Sequence, residues 1–288
     1  MIVCPDCSGA LPDEKRACPK CGFSPVLIDG FPAWAPELAH GGGGFTVEAF
    51  SNLAGVEEGS FWFRARNKLI IWAIRRYTPE LASLHEIGCG TGYVLTGVSE
   101  AFPASRLVGS EIFVEGLKFA KTRLPNAMLV QMDARQMPYL DEFDAVIAAD
   151  VLEHIEEDTE VLDQLQQALK PGGCLIVSVP QHRWLWSPAD DRARHVRRYT
   201  KKDLHQKLTQ AGFQIELSTS FVSILLPLML GSRLIKKSNC AYKPREFGMP
   251  TPLNTALESV LNFERALIRS GLRFPLGGSR FIVAQKPV

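Results

Sequence analysis

The sequence lacks any real charge excess: 32 lysines and arginines face 31 aspartates and glutamates, for a formal net charge of +1. Nucleic acid or an acidic membrane would have to be met by a local patch, not by the overall field. Long apolar runs are missing too. The longest candidate, FVSILLPLML from Phe221 to Leu230, is shorter than the roughly 18 residues that suggest a membrane span and carries Pro227. No secretion signal is legible at the start, where Met1-Ile2-Val3 runs straight into Cys4. These absences lead us to expect a soluble, cytoplasmic protein. The cysteines number 7, and an odd total without a signal argues against a disulfide framework and for metal plus free thiols. What is present is size and apolar content. With 288 residues, 46% of them hydrophobic, the chain can hold one large domain and a small appendage.

Cys4 and Cys7 in CPDC, then Cys18 and Cys21 in CPKC, form two knuckles separated by ten residues. Each knuckle lets two thiolates converge on one ion, and two knuckles complete a closed, tetrahedral zinc site of structural type. So short a segment cannot fold on buried surface alone, so the metal supplies most of its stability. Unrelated free cysteines and a redox dithiol are the alternatives, the second weakened by the missing strand-helix context. The segment, with the later DGFPAW of Asp29 to Trp34, resembles zinc ribbons. Those occur alone as small methyltransferase-activating subunits or fused in front of some methyltransferases. Residues 1–40 are expected to form this ribbon, and Gly41 to Gly44 a flexible linker. Residues 41–82 then carry the linker and leading helices over a pocket, and 83–288 the main domain.

From Ser83 onward, strand-length apolar runs alternate with helix-length amphipathic stretches. Strands are expected at Leu84–Ile87, Leu107–Ser110, Ala127–Gln131, Phe143–Ala148, Cys174–Val179, Gln214–Ser218 and Arg280–Gln285. Helices are expected at Tyr93–Ala101, Val114–Leu124, Thr159–Leu169 and Lys201–Ala211, after a leading helix at Phe61–Tyr77. Such alternation implies an α/β fold, a Rossmann-like sheet of seven strands with helices on both faces. Lys170-Pro171-Gly172-Gly173 reads as a helix stop and turn. Along the leading helix, Trp62, Leu69 and Trp72/Ala73 follow one stripe, with Arg64, Arg66 and Asn67 placed to reach a ligand.

In such sheets ligands bind beyond the carboxyl ends of the strands. There lies HEIGCGTGYVL, where Gly88, Gly90 and Gly92 follow the first strand and precede a helix near Tyr93. Glycines let a ligand approach bare main chain at a helix start. The spacing is GxGxG, whereas a dinucleotide fingerprint reads GxGxxG. Glu86 before the loop favours a cation over a phosphate. Glu111 ends the next strand and suits ribose hydroxyls, and Asp133 ends the third, where it can accept from an adenine amino group. The three acids favour a positively charged nucleoside over NAD.

At these residues the chain resembles the class I S-adenosylmethionine-dependent methyltransferases from about Ser83 to Val288. EIGCGTG looks like their cofactor loop, Glu111 like their ribose acid, and MDA, with Asp133 and Ala134, like their adenine-contact motif. FDAVIAADVLEHI resembles the fourth strand and its loop, which adds Asp150 to the cofactor set, and LKPGGCLIVSVP the fifth. The resemblance implies S-adenosyl-L-methionine as cofactor and transfer of its sulfonium methyl to a nucleophile. A binding protein without catalysis and an NAD-dependent oxidoreductase stay open as alternatives.

Transfer needs a nucleophile held in line and relieved of its proton. His154 in DVLEHI, orientable by Asp150 or Glu153, and His195 in DDRARHVRRYTKKDL are the base candidates, with His182 behind them. The second segment resembles the loop after the fifth strand in small-molecule O-methyltransferases, including quinone-pathway enzymes. Thr200 with Asp203 reads as a helix cap, so His195, Arg198 and Tyr199 are expected to face the pocket. Arg192, Arg194, Arg197, Arg198, Lys201 and Lys202 point to an anionic small molecule more than to nucleic acid. A helical insertion at about 221–278 is expected either as an apolar lid over a small or lipid-like substrate, as a peripheral membrane contact, or as plain packing. The expected activity is O-methylation of such a substrate. RNA or protein methylation, with the ribbon as a docking module, is the alternative.

Overall fold

The computed structural model describes residues 1–14, 16–41, 47–235 and 249–288. Most of the expected glycine linker, and Lys236 and Lys237 of the insertion, lie outside these residues, as do the side chains of 47–49 and 232–235. In the first segment lie the short strands β1 (Ile2–Val3), β2 (Ala10–Leu11), β3 (Val26–Ile28) and β4 (Phe31–Ala33). Helices α1 (Val47–Val56) and α2 (Phe61–Tyr77) follow. Strand and helix then alternate: β5 (Ser83–Ile87), α3 (Tyr93–Ala101), β6 (Arg106–Glu111), α4 (Val114–Arg123), β7 (Met128–Gln131) and β8 (Phe143–Ala149). Next come α5 (Asp158–Ala168), β9 (Leu169–Pro180), α6 (Pro188–Arg192), α7 (Lys201–Gln210) and β10 (Gln214–Phe221). The chain closes with α8 (Leu226–Ile235), α9 (Thr251–Arg269) and β11 (Ser279–Gln285).

All seven expected strands form, in the order β10-β11-β9-β8-β5-β6-β7. β5 through β9 are mutually parallel, and β11 runs antiparallel between β9 and β10. Because the chain leaves β5 for one side and later crosses back to β8 on the other, a crevice opens at the carboxyl ends of these two strands. The sheet is apolar on both faces, as a helix-covered parallel sheet must be. Along β8, Val146 and Ala148 join one core while Ala145 and Ile147 join the other, the two-residue alternation of a strand.

Two expectations shift. The sheet has nine strands, not seven, because β4 adds to the edge of β7 and β3 pairs with β4. A bare edge at β7 would expose unpaired backbone groups. Trp34 N–H donates to Gln131 O at 2.8 Å, and the buried Gln131 amide bonds Ala35 N–H (3.1 Å) and Ala35 O (2.8 Å). The cysteine segment is likewise packed down: Ile2, Cys4, Leu11 and Cys18 share a core with Tyr139 and Phe143. On α2 the buried face holds Phe63, Arg66, Leu69, Ile70, Ala73 and Ile74, and the tryptophans sit at its half-buried flanks. The Lys170–Gly173 stretch is the irregular start of β9, where Gly172 N–H bonds Lys286 O at 2.9 Å.

Candidate cofactor and acceptor site

A cleft of about 1440 Å³ opens at the carboxyl ends of β5, β6 and β8. Its floor at one end is the glycine loop. Gly88, Gly90 and Gly92 all have positive φ, at 57°, 51° and 78°. A Cβ on Gly88 would come within 2.5 Å of Val151 Cγ2, whereas one on Gly90 would meet nothing nearer than the Phe50 ring at 3.8 Å. Gly88 is therefore required by close packing, and Gly90 leaves open main chain beneath the cleft.

The three sequence-chosen acids all line this end. Glu111 holds the loop in place, accepting from Gly90 N–H at 3.0 Å and Ile112 N–H at 2.8 Å. Carboxylate oxygens have further lone pairs, so the Glu111 carboxylate can also accept from ligand hydroxyls. Glu86 is buried and one of its oxygens has no partner; burial pushes its carboxyl up to about 8, against the pull of Arg66. Asp133 is engaged by Arg135, whose guanidinium reaches its oxygens at 2.7 to 3.1 Å, so its expected bond to an adenine amino group competes with that pair. Ala134 lies beside it on the cleft wall.

Residues that sequence reasoning missed close the roof. Glu57, just after α1, accepts from Thr91 of the glycine loop at 2.6 Å, and Arg123 of α4 pairs with Glu57 at 2.6 Å. The helix is thereby tied over the loop. The threonine inside GCGTG was the one available signal, but its partners lie 34 and 32 residues away. Arg66 is buried and pairs with Asp150, which turns the chain after β8 with φ 58°. Arg64, by contrast, points away and binds Glu258 of α9 at 2.7 Å.

At the other end of the cleft stand Glu153, His154 and His195. His154 belongs to a 3₁₀ turn after β8, and its ring meets the His195 ring edge-on with centroids 4.7 Å apart. Burial, then the neighbouring His195, lowers the His154 imidazole to about 4. His195 Nδ1 lies 3.0 Å from Asp190 Oδ1. Arg198 grips the same carboxylate at 2.6 and 3.0 Å, and Ser187 caps it from N–H and hydroxyl. Although burial opposes it, the hydrogen bonds from His195 and Arg198 hold the Asp190 carboxyl well below the usual range.

Tyr199 corrects the expectation that it faces the pocket. It is fully buried and donates to Asp158 Oδ2 at 2.6 Å and Leu152 O at 3.2 Å. Adjacent residues of an extended segment point oppositely, so with Arg198 turned to Asp190 its neighbour goes into the core. Arg197 is spent on Asp158 at 2.6 Å, so two of the six basic loop residues serve internal pairs; Arg192 lines the cleft. His182 stacks on Trp184 at 5.2 Å and does not line the cleft.

The insertion adds Leu225, Leu228, Met229 and Leu257 to the wall of the cleft. Far from the cleft, the sulfurs of Cys4 and Cys21 are 3.5 Å apart and those of Cys7 and Cys18 3.6 Å, all four within 4.8 Å of one another. Four sulfurs about 2.3 Å from a central zinc would be spaced on this scale. A hydrogen bond from the Cys21 N–H leads the effects that lower the Cys18 thiol to about 7.

Comparison with known proteins agrees with this geometry. The chain is 25% identical over 168 residues to a probable S-adenosylmethionine-dependent methyltransferase of Mycolicibacterium smegmatis, covering 57% of this chain and 63% of that protein. It is 28% identical over 103 residues to a trans-aconitate 2-methyltransferase of Azoarcus sp., covering 36% of this chain and 41% of that protein. Its fold is similar to the crystal structure of a SAM-dependent methyltransferase from Thermotoga maritima, with TM-score 0.52 at 16% identity, covering 83% of this chain and 95% of that one. The methyltransferase domain family matches residues 61–218, more than half of the sequence and the whole stretch that builds the cleft floor, and the chain belongs to that family.

Proposed function

We propose that this protein transfers the methyl group of S-adenosyl-L-methionine to an oxygen of a small or lipid-like acceptor. The observation that carries this reading is one cleft with two unlike ends. One end offers bare main chain at Gly90, a ribose acid at Glu111 and the buried carboxyl of Glu86 with one oxygen unpartnered, which fits a cationic nucleoside. The other end offers Glu153, His154 and His195 under an apolar wall, which fits an acceptor whose hydroxyl must lose a proton. When bound, the cofactor supplies an electrophilic methyl carbon on a positively charged sulfur. Glu86 balances that charge, Glu111 sets the nucleoside's depth, and the roof tied by Glu57 excludes water.

The apolar residues of the insertion support a lid over the acceptor, and one relative is named for methylation of trans-aconitate, a small molecule. Among the described residues, no helix is long and apolar enough to cross a membrane. We further propose that Cys4, Cys7, Cys18 and Cys21 hold a structural zinc, on the sulfur spacing above.

The test is incubation with a methyl-labelled cofactor and fractionated metabolite extract. The reading predicts label in a small product as a base-stable ether or a base-labile ester, with turnover strongly reduced in His195→Ala and cofactor affinity kept. Label found only in protein or RNA, or full turnover in His195→Ala, contradicts it.

A further inference from the structure

Glu153 presents an unusual combination. It is fully buried yet lines the cleft, and neither carboxyl oxygen receives a hydrogen bond. The two guanidinium groups that attract it, those of Arg66 and Arg198, are committed elsewhere, to Asp150 and Asp190. A carboxylate withdrawn from water is strongly disfavoured unless a cation or donors meet it. Two imidazoles flank it. His195 Nε2 stands 4.0 Å from Glu153 Oε1, too far for a hydrogen bond but near the separation of two ligands on one ion. One ligand atom each from Glu153, His154 and His195 lies within 4.8 Å of the other two. Bonds of about 2.0–2.2 Å to a shared ion in a tetrahedral array place ligands about 3.3–3.6 Å apart, so the set has to close by up to about 1 Å around the ion. The far nitrogen of His195 is already held by the buried Asp190, the support that ligating histidines commonly have.

We propose that Glu153, His154 and His195 form a divalent-cation site at the acceptor end of the cleft. One carboxylate oxygen and two imidazole nitrogens suit a first-row transition cation and leave positions open for acceptor oxygens. The site rests on the acceptor reading above and deepens it. The cation binds an acceptor hydroxyl, whose proton leaves to solvent water. The oxygen then attacks the methyl carbon: a C–O bond forms, the C–S bond breaks, and its electron pair neutralises the sulfonium to a thioether. His195 Nε2 serves as ligand in this scheme, so no side chain has to store the proton.

The test uses the full chain with zinc already in the cysteine site, since thiolates prefer zinc to manganese. Mn²⁺ is titrated and followed by electron paramagnetic resonance. The expected result is one Mn²⁺ per chain, bound at least about tenfold more weakly in Glu153→Gln, His195→Ala and Asp190→Asn. Cofactor affinity in the same variants, measured by calorimetry, reports that the fold is kept. No stoichiometric binding at millimolar Mn²⁺, or binding unchanged in Glu153→Gln, overturns the site. Methyl transfer that runs equally well without added cation, yet is lost in His195→Ala, also overturns it while leaving the acceptor reading intact. Mn²⁺ bound with the stated variant pattern but no labelled product supports the site and overturns the oxygen-acceptor reading instead.

Discussion

Gly88 sits where a side chain has no room, 2.5 Å from Val151 by its absent Cβ and at a φ of 57°. Gly88→Ala should cost about 1–3 kcal/mol of stability through strain and displacement of the 3₁₀ turn that carries His154. A melting temperature equal to wild type would contradict that. Tyr199 tests the corrected assignment. Tyr199→Phe removes a buried donor to Asp158 and should cost about 1–2 kcal/mol while leaving turnover near wild type. A large fall in turnover without loss of stability would restore Tyr199 to the chemistry. Glu86 gives a pH prediction. Its neighbours are Arg66 from α2, Glu57 beyond α1, Glu111 from β6, the Cys89 thiol and the backbone at Leu95. Its folded value of about 8 lies above the ordinary 4.5, so the folded chain keeps a proton that the unfolded chain loses. Its contribution therefore lowers stability as pH rises between those values. A cationic cofactor favours the ionised form, so affinity should rise with pH up to about 8, and Glu86→Gln should flatten the rise.

At the scale of elements, the parallel strands were legible because each is a short apolar run bounded by helix and turn signals. Thr200 was legible as a cap as well, and its hydroxyl accepts from Asp203 N–H at 3.1 Å. A returning strand was legible at Asp29–Trp34, where β4 lies, but its place at the edge of the main sheet was not, because a three-residue strand carrying Pro32 depends on a distant partner in β7. The same distance hid the Glu57–Thr91–Arg123 tie, whose members are ordinary residues until folding joins them. β4 leads directly to Leu38 and Gly41, which line the cleft, so the cysteine segment and the nucleoside end share backbone. Cys4→Ser should therefore lower the melting temperature, by about 2–4 °C for each kcal/mol lost, and weaken cofactor binding as well. A lower melting temperature with unchanged affinity would separate the two and show that the sheet edge is independent of the cysteine cluster.

For the whole molecule, a parallel sheet whose order reverses beside β5 fixes where a ligand binds, and the side chains there fix which ligand. The strands, and three acids that line the cleft, could be picked from sequence because the loop that follows each strand is local to it. The acceptor end could not be assembled in advance, since Glu153, Asp190 and His195 come from two loops brought together by β8 and β9. The most direct measurement is calorimetric titration of the purified protein with S-adenosylmethionine and, separately, with NADH. We expect one S-adenosylmethionine per chain, binding abolished in Glu111→Ala, and no heat from NADH. Saturable NADH binding with no response to S-adenosylmethionine would contradict the account at its base.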